Sequence, residues 1–295
     1  MFESIESIQE ALLEHQYVAY RDLATIIYLS LRLKKPLFLE GEAGVGKTEV
    51  AKVLASMMGV PLIRLQCYEG LDVNNAVYEW DYPRQILYLR LLEASQTSRA
   101  DMENVMYSRK FLLSRPLLQA IEAQDDHVPV LLIDEIDRAD EEFESFLLEM
   151  LSDYQITIPE IGTIKSKQPP VIIITSNRTR EVHDALKRRC LYQWIDYPNF
   201  ETEYQILQMK VPGLDQQLTH QIITKIQQLR EAELFKAPGI AETLDWGRAI
   251  QTMDQNTLDE ETINATLGVV LKYQDDVLRV KELLASQQLD ELPKH

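Results

Sequence analysis

The sequence predicts an α/β fold, a parallel sheet flanked by helices, followed by a smaller all-helical domain. Three observations carry this expectation. Short apolar runs alternate with helical periodicity up to about residue 200, a glycine-rich turn joins the first run to a helix, and strand signals stop after Tyr197-Pro198-Asn199. Parallel strands need crossovers and are buried on both faces, so they read as unbroken apolar runs rather than alternating ones.

Apolar residues Ile5, Ile8 and Leu12, then Leu23, Ile26, Ile27 and Leu31, recur at helical spacing and predict two helices ahead of the first strand. That strand, residues 36–40, lies between Lys34-Lys35 and the glycine-rich turn. Helical periodicity resumes over residues 48–58 through Val50, Val53, Leu54 and Met57. Further strands are expected at residues 61–66, 128–133 and 171–175, with a helix through Phe143, Phe146, Leu147, Met150 and Leu151. Between them, residues 153–170 place Ile156/Ile158 and Ile161/Ile164 around Pro159 and Gly162, the pattern of a hairpin. Residues 201–295 are almost wholly helical in pattern, broken at Val211-Pro212-Gly213 and Ala237-Pro238-Gly239. The expected division is therefore residues 1–200 and residues 201–295, without a low-complexity linker.

With 295 residues, 45% apolar and 26% charged, the chain is long enough for two compact domains and too mixed to be disordered. A net charge of -17, with no local basic cluster, argues against nucleic acid and anionic lipid as partners. The apolar runs at Val130-Leu131-Leu132-Ile133 and Val171-Ile172-Ile173-Ile174 are far shorter than the ~20 residues that cross a bilayer. The opening segment MFESIESIQE lacks the basic n-region of a secretion signal, so a cytoplasmic location is expected. Cys67 and Cys190 are too few for a disulfide framework or a zinc site and are expected to be structural thiols.

Gly41-Glu42-Ala43-Gly44-Val45-Gly46-Lys47-Thr48 matches G-x-x-x-x-G-K-[ST] between a strand and a helix. Glycines there let backbone N–H groups turn inward around a β-phosphate, the helix start adds its positive dipole end, and the Lys47 ammonium reaches the β/γ oxygens. Thr48 is expected to hold Mg2+ through its hydroxyl, and Glu49 completes the segment expected to contact ATP. Hydrolysis needs a second, acidic element. Asp134, at the end of the run Val130-Leu131-Leu132-Ile133, can reach the Mg2+ shell, and Glu135 beside it is placed to act as general base. Asn177, at the end of the next strand, is expected to orient the same water. Arg188 and Arg189 close a short helix in Leu186-Lys187-Arg188-Arg189-Cys190, and guanidinium groups suit bidentate phosphate contact. If one of them reaches a neighbouring chain's γ-phosphate, the enzyme is an oligomer with sites at its interfaces.

In this order the motifs resemble an AAA+ ATPase, and their wording narrows the resemblance to the MoxR family. GEAGVGKTEVAK, LLIDEIDRAD, ITSN and ALKRRCLYQWIDYP look like its P-loop, second acidic motif, sensor 1 and arginine-finger region. CYEGLDVNNAVYEWDYPRQIL and AETLDW look like the CoxD-type branch, encoded with molybdenum-containing carbon monoxide dehydrogenase and related hydroxylases. The resemblance covers most of residues 15–285. It implies a P-loop NTPase domain with a helix-2 insertion near residues 72–95 and a pre-sensor hairpin at 153–170, followed by a helical lid. It further implies a ring, usually a hexamer, that hydrolyses ATP between subunits. Its partners would be a von Willebrand factor A domain protein and a target metalloenzyme, such as a molybdenum hydroxylase, whose assembly or metal-centre maturation the ring serves. Tyr68-Glu69-Gly70-Leu71 stands where relatives place a loop facing the pore, and Tyr78, Trp80 and Tyr82 are either contact residues of the insertion or packed against its hairpin. One departure is a lid segment, Ala241-Glu242-Thr243-Leu244-Asp245, without the sensor 2 arginine; Arg248, further along, is the candidate substitute.

Other classes remain. A nucleotide-gated binding module with little hydrolysis would share every motif. A DNA-directed AAA+ motor is argued against by the charge of -17, and a P-loop kinase for small molecules by Asp134-Glu135, Asn177 and the helical second domain.

Overall fold

A computed structural model describes residues 2–94, 105–123, 128–286 and 288–291. Two helices, α1 (Ile5–Glu14) and α2 (Arg21–Leu33), precede β1 (Leu37–Gly41) and α3 (Lys47–Met58). Next come β2 (Leu62–Gln66), α4 (Val73–Val77), β3 (Tyr78–Trp80), α5 (Tyr82–Ala94), β4 (Leu112–Ser114) and α6 (Pro116–Glu122). β5 (Val130–Asp134), α7 (Glu141–Asp153), the hairpin β6 (Gln155–Ile158) and β7 (Gly162–Lys165), β8 (Val171–Ser176), α8 (Asp184–Lys187) and β9 (Leu191–Ile195) follow. Among the described residues, five α-helices follow: α9 (Phe200–Lys210), α10 (Gln216–Arg230), α11 (Ile240–Thr252), α12 (Glu260–Val270) and α13 (Gln274–Ala285).

The main sheet has the order β2-β5-β8-β1-β9, with β2, β5, β8 and β1 parallel. Its central strands are buried on both faces. Phe38, Leu131, Ile133, Ile172 and Ile174 enter one core with Leu117, Leu118, Phe143 and Leu147, while the alternating Leu37, Leu39, Leu132 and Ile173 are equally inaccessible. The sequence pattern anticipates four of these strands. The fifth, β9, escapes it because Leu191–Ile195 reads LYQWI, an edge strand only half covered.

The chain divides into two compact units, Met1–Ile5 with Asp22–Glu40 and Ala51–Gln193, and Glu6–Arg21 with Gly41–Val50 and Trp194–His295. They are built from non-contiguous segments, whereas the division expected at residue 200 is contiguous. Tyr20 shows why. Its hydroxyl oxygen accepts from the Asn199 N–H (3.2 Å) and from Thr202 Oγ1 (2.9 Å), and Gly44 O accepts from the Ile240 N–H (2.9 Å), so short N-terminal pieces are knitted to the helical segment.

In the second unit, Trp246 is fully buried among Leu207, Ile222, Ile226, Ile250 and Leu267, and its indole N–H finds Thr266 Oγ1 at 2.8 Å. Glu203 on α9 is buried and receives a bidentate contact from Arg230 on α10, Nη1 to Oε2 at 2.8 Å and Nη2 to Oε1 at 2.7 Å. Gln227 Nε2 (2.8 Å) and Thr243 Oγ1 (2.7 Å) complete its shell. Arg230→Ala strands that carboxylate without a counter-charge, so a loss of about 3–5 kcal/mol is expected in urea unfolding. A loss below about 1 kcal/mol would place the pair among exposed ones of little consequence.

Candidate functional site

The glycine-rich turn belongs to the second unit. Gly41 ends β1 at φ +156°, and a Cβ there would lie 2.1 Å from Ile195 O, so the residue admits no side chain. Gly44, at φ +83°, approaches the start of α11 so closely that a Cβ on Gly239 would meet Gly44 Cα and its carbonyl carbon at 2.9 Å. Lys47, the first residue of α3, is buried and donates from Nζ to Gly41 O (2.8 Å) and Glu42 O (2.6 Å). Ala43 and Gly46 lie half-buried in the turn, Val45 points inward, Thr48 is half-buried, and Glu49 faces Lys210 Nζ at 3.8 Å. Burial, aided by Glu49, pushes the Tyr17 phenol far above its ordinary range.

An acidic cluster lies in the first unit, at the carboxyl ends of β5, β8 and β2. Register sets it. Gln66 stands opposite Asp134 and Ile133 opposite Ile174, which brings Thr175 beside Asp134. Asp134, almost wholly buried, accepts from Thr175 Oγ1 on Oδ1 (2.5 Å) and from Arg64 Nε (3.0 Å) and Nη2 (2.5 Å) on Oδ2. Glu135 adopts the left-handed backbone conformation, φ 56° and ψ 53°, uncommon for a residue with a side chain, and its N–H is held by Thr175 Oγ1 at 3.0 Å. Its carboxylate accepts from Asn177 Nδ2 on Oε1 (3.2 Å), and from Gln66 Nε2 (3.0 Å) and Arg138 Nε (3.1 Å) on Oε2. Asp137 holds the turn that follows Asn177 through the Asn177 N–H (3.2 Å) and Thr179 N–H and Oγ1 (2.9 and 2.6 Å).

The two candidate arginines differ. Arg189 is tied to its own chain, Nε to Ser152 Oγ at 2.8 Å and Nη1 to Ala185 O at 3.0 Å. Arg188, which caps α8, is exposed and makes no side-chain hydrogen bond or ion pair with the described residues. Arg248 pairs with Asp245 at 3.2 Å, eight residues beyond Ile240 in α11 and so about 12 Å along the helix from the Gly44 contact. In place of a lid arginine, the structure sets Gly239 itself against Gly44, with the Gly239 N–H capped by Glu242 Oε2 at 2.9 Å.

Tyr68 and Tyr82 are exposed, whereas Trp80 is buried edge-on between Tyr78 (6.0 Å) and Tyr107 (5.6 Å), on a β3–β4 ribbon that periodicity does not reveal. Burial pushes the Cys67 thiol up to about 12, with Asp134 and Asp137 adding to the effect, and burial likewise holds Cys190 at about 12 despite the opposing Arg189. Both thiols are therefore protonated and inert at neutral pH.

Arg64, Gln66, Thr175 and Glu40 escape the motif reading. Gln66, Thr175 and Glu40 share a signal, a polar residue at the carboxyl end of a parallel strand where open α/β sheets bind ligands, whereas Arg64 sits mid-strand in β2 and carries no such signal. For Glu40 that position is the residue before Gly41, where it is buried with Lys187, Tyr192 and Ser176 as neighbours.

Comparison with known proteins places this geometry. The AAA domain of the dynein-related subfamily matches residues 36–190, more than half of the chain. The chain belongs to the AAA family. Among relatives of this AAA protein, an uncharacterized protein of Staphylococcus epidermidis is 25% identical over 206 residues, covering 68% of this chain and 70% of that one. The gas vesicle ATPase GvpN of Haloferax mediterranei is 25% identical over 244 residues, covering 75% and 67% respectively. A RuvB mutant from Thermotoga maritima superposes with a TM-score of 0.50 at 15% identity, over 86% of this chain and 70% of that one, a likeness of fold. The parallel five-stranded sheet with its helical C-terminal region is thus an AAA+ P-loop fold. No helix among the described residues is long and apolar enough to cross a membrane.

Proposed function

We propose that this AAA protein is a MoxR-type ATPase of the CoxD-like branch, a cytoplasmic ring that binds MgATP and uses its hydrolysis to remodel a target protein. The observation that carries this reading is the acidic cluster. Glu135 lies at the end of a buried strand beside Asp134, held in a left-handed turn by Thr175, with the Asn177 amide 3.2 Å from its carboxylate. Together with the full glycine-rich motif, that arrangement is suited to moving a proton off water rather than to binding nucleotide alone.

Gly41 to Gly46 hold the phosphates through backbone N–H groups, Lys47 contributes its charge, and Glu49 borders the loop. By donor chemistry the Thr48 hydroxyl and the Asp134 carboxylate are each hard oxygen groups of the kind Mg2+ takes, and Asp134 would have to release Arg64 to serve as a ligand. A bound Mg2+ would supply charge neutralisation for the phosphates. Asn177 orients a water beside Glu135, and Glu135 takes its proton as the water oxygen bonds to the γ-phosphorus and the bond to the bridging oxygen breaks, releasing ADP and phosphate. Arg188, exposed and without a side-chain partner among the described residues, is the finger offered to the neighbouring site, and Arg189, tied to Ser152 and Ala185, steadies the helix end beside it. The sequence phrases YEGLDV, YEWDYPRQ and ETLDW support a hexameric ring with a von Willebrand factor A domain partner and a metalloenzyme target of the molybdenum hydroxylase class.

The test is ATP turnover against protein concentration with particle mass measured in parallel. Turnover per chain is expected to rise steeply as rings form. Turnover independent of concentration, by particles of single-chain mass, would reduce the protein to a monomeric nucleotide switch.

A further inference from the structure

We propose that Glu40 and Lys187 form a positioning pair that ties the helix end carrying Arg188 to the strand entering the phosphate loop, so that one chain's nucleotide state sets the finger it offers the next. The inference rests on the proposed role of Arg188.

Glu40 is an acid in a strand that is otherwise apolar and fully buried, and a carboxylate in such a place is costly unless a counter-charge and hydrogen bonds accompany it. It has them. Lys187 Nζ donates to Oε1 at 3.1 Å and to Oε2 at 3.2 Å, the Tyr192 hydroxyl donates to Oε2 at 2.8 Å, and Ser176 Oγ lies 3.5 Å from Oε1. The Lys187 ammonium lies 5.4 Å from the centre of the Phe38 ring and 5.8 Å from that of Tyr192, and these rings stack at 6.1 Å. The pair is therefore fixed on several sides, and a shift of either member displaces the other.

Both members have neighbours that matter. Glu40 is joined by one peptide bond to Gly41, so a rearrangement of the loop around phosphate reaches it directly. Lys187 is the last helical residue of α8 and is joined to Arg188, whose N–H remains on Asp184 O at 2.9 Å with helical φ and ψ. Successive helical residues differ by about 100° in direction, so anchoring Lys187 inward sets the outward bearing of Arg188. Arg189, with its own ties to Ser152 and Ala185, needs no such anchor. A pair that served stability alone could have been apolar residues of similar volume, often as stable or more so.

Mixed particles test the proposal. Three variants, Lys187→Met, the double Glu40→Gln/Lys187→Met and Arg188→Ala, are assembled alone and with excess Glu135→Gln, whose own residual turnover is measured and subtracted and which carries an intact finger. The double variant leaves no unpaired buried charge, which guards against simple misfolding. Alone, Lys187→Met and the double variant are expected to bind a fluorescent ATP analogue as the natural protein does and to lose about 100-fold in turnover, the cost of misplacing a catalytic group by about 1 Å. Mixing is expected to restore turnover per hydrolysis-competent chain, because intact fingers now reach those sites. A loss that mixing does not restore, while Arg188→Ala is restored, would make the pair a support of its own site and overturn the proposal. Turnover unchanged in the double variant would overturn it as well. Should Arg188→Ala hydrolyse normally, or fail to be restored in mixed particles, the finger assignment itself falls and the proposal with it.

Discussion

Arg188→Ala is expected to assemble like the natural protein and to hydrolyse ATP about 1,000-fold more slowly, at the low end of the 10³–10⁵ that such a guanidinium contributes in phosphoryl transfer. Arg189→Ala is expected to stay within about tenfold, since it removes only two exposed hydrogen bonds, to Ser152 and Ala185. The contrast follows from geometry rather than motif. Both residues sit at the same helix end, but Arg189 spends its guanidinium on Ser152 and Ala185, while Arg188 is exposed and unengaged by the described residues. A guanidinium already bonded must give up those contacts before it can meet a phosphate. Turnover and particle mass measured on both variants decide the matter. If Arg189→Ala is the dead variant and Arg188→Ala the active one, the assignment is reversed.

Glu135→Gln is expected to keep ATP affinity and to lose turnover by about 10²–10⁴, the range of a general base. The substitution preserves shape and removes the proton acceptor. It also changes the local hydrogen bonding, because Oε1 accepts from Asn177 and Oε2 from Gln66 and Arg138, whereas an amide has only one acceptor oxygen. One of those donors must therefore turn away. Equilibrium binding of ATP separates this from a collapse of the site. Retained binding with no turnover supports the role of Glu135 in proton removal, and near-normal turnover would remove Glu135 from that role. The same measurement bears on coupling, since a variant that traps ATP should also hold the particle assembled.

Much of the first half of this molecule is legible residue by residue. The glycine-rich segment, the apolar run ending in Asp134 and the hairpin at 153–170 depend on local rules: turn chemistry, side-chain period and the length of an apolar stretch. The strands β1, β5 and β8 follow the same rules because burial on both faces removes any ambiguity from their apolar runs, and β2, at the sheet's edge and only partly covered, is read from its short apolar stretch after Pro61. β9 and the β3–β4 ribbon are harder to see, since an edge strand or a short ribbon carries mixed side chains.

The partnerships within the site are of another kind. Arg64 meets Asp134 across 70 residues and Lys187 meets Glu40 across 147, and neither contact follows from any property of the segments themselves. They exist because parallel register sets strand ends side by side and crossovers return distant chain to one edge of the sheet. The approach of Gly239 to Gly44 is similar: Ala237-Pro238-Gly239 reads as a helix break, and only the folded chain makes it a contact of the phosphate loop. Sequence alone thus picks out the glycine-rich segment and the acidic pair as candidates, because those are local chemistry. Which arginine is engaged by the described residues, which residues restrain Glu135 and what holds Glu40 depend on long-range packing, where hydrogen bonds between distant residues compete for the same few side chains.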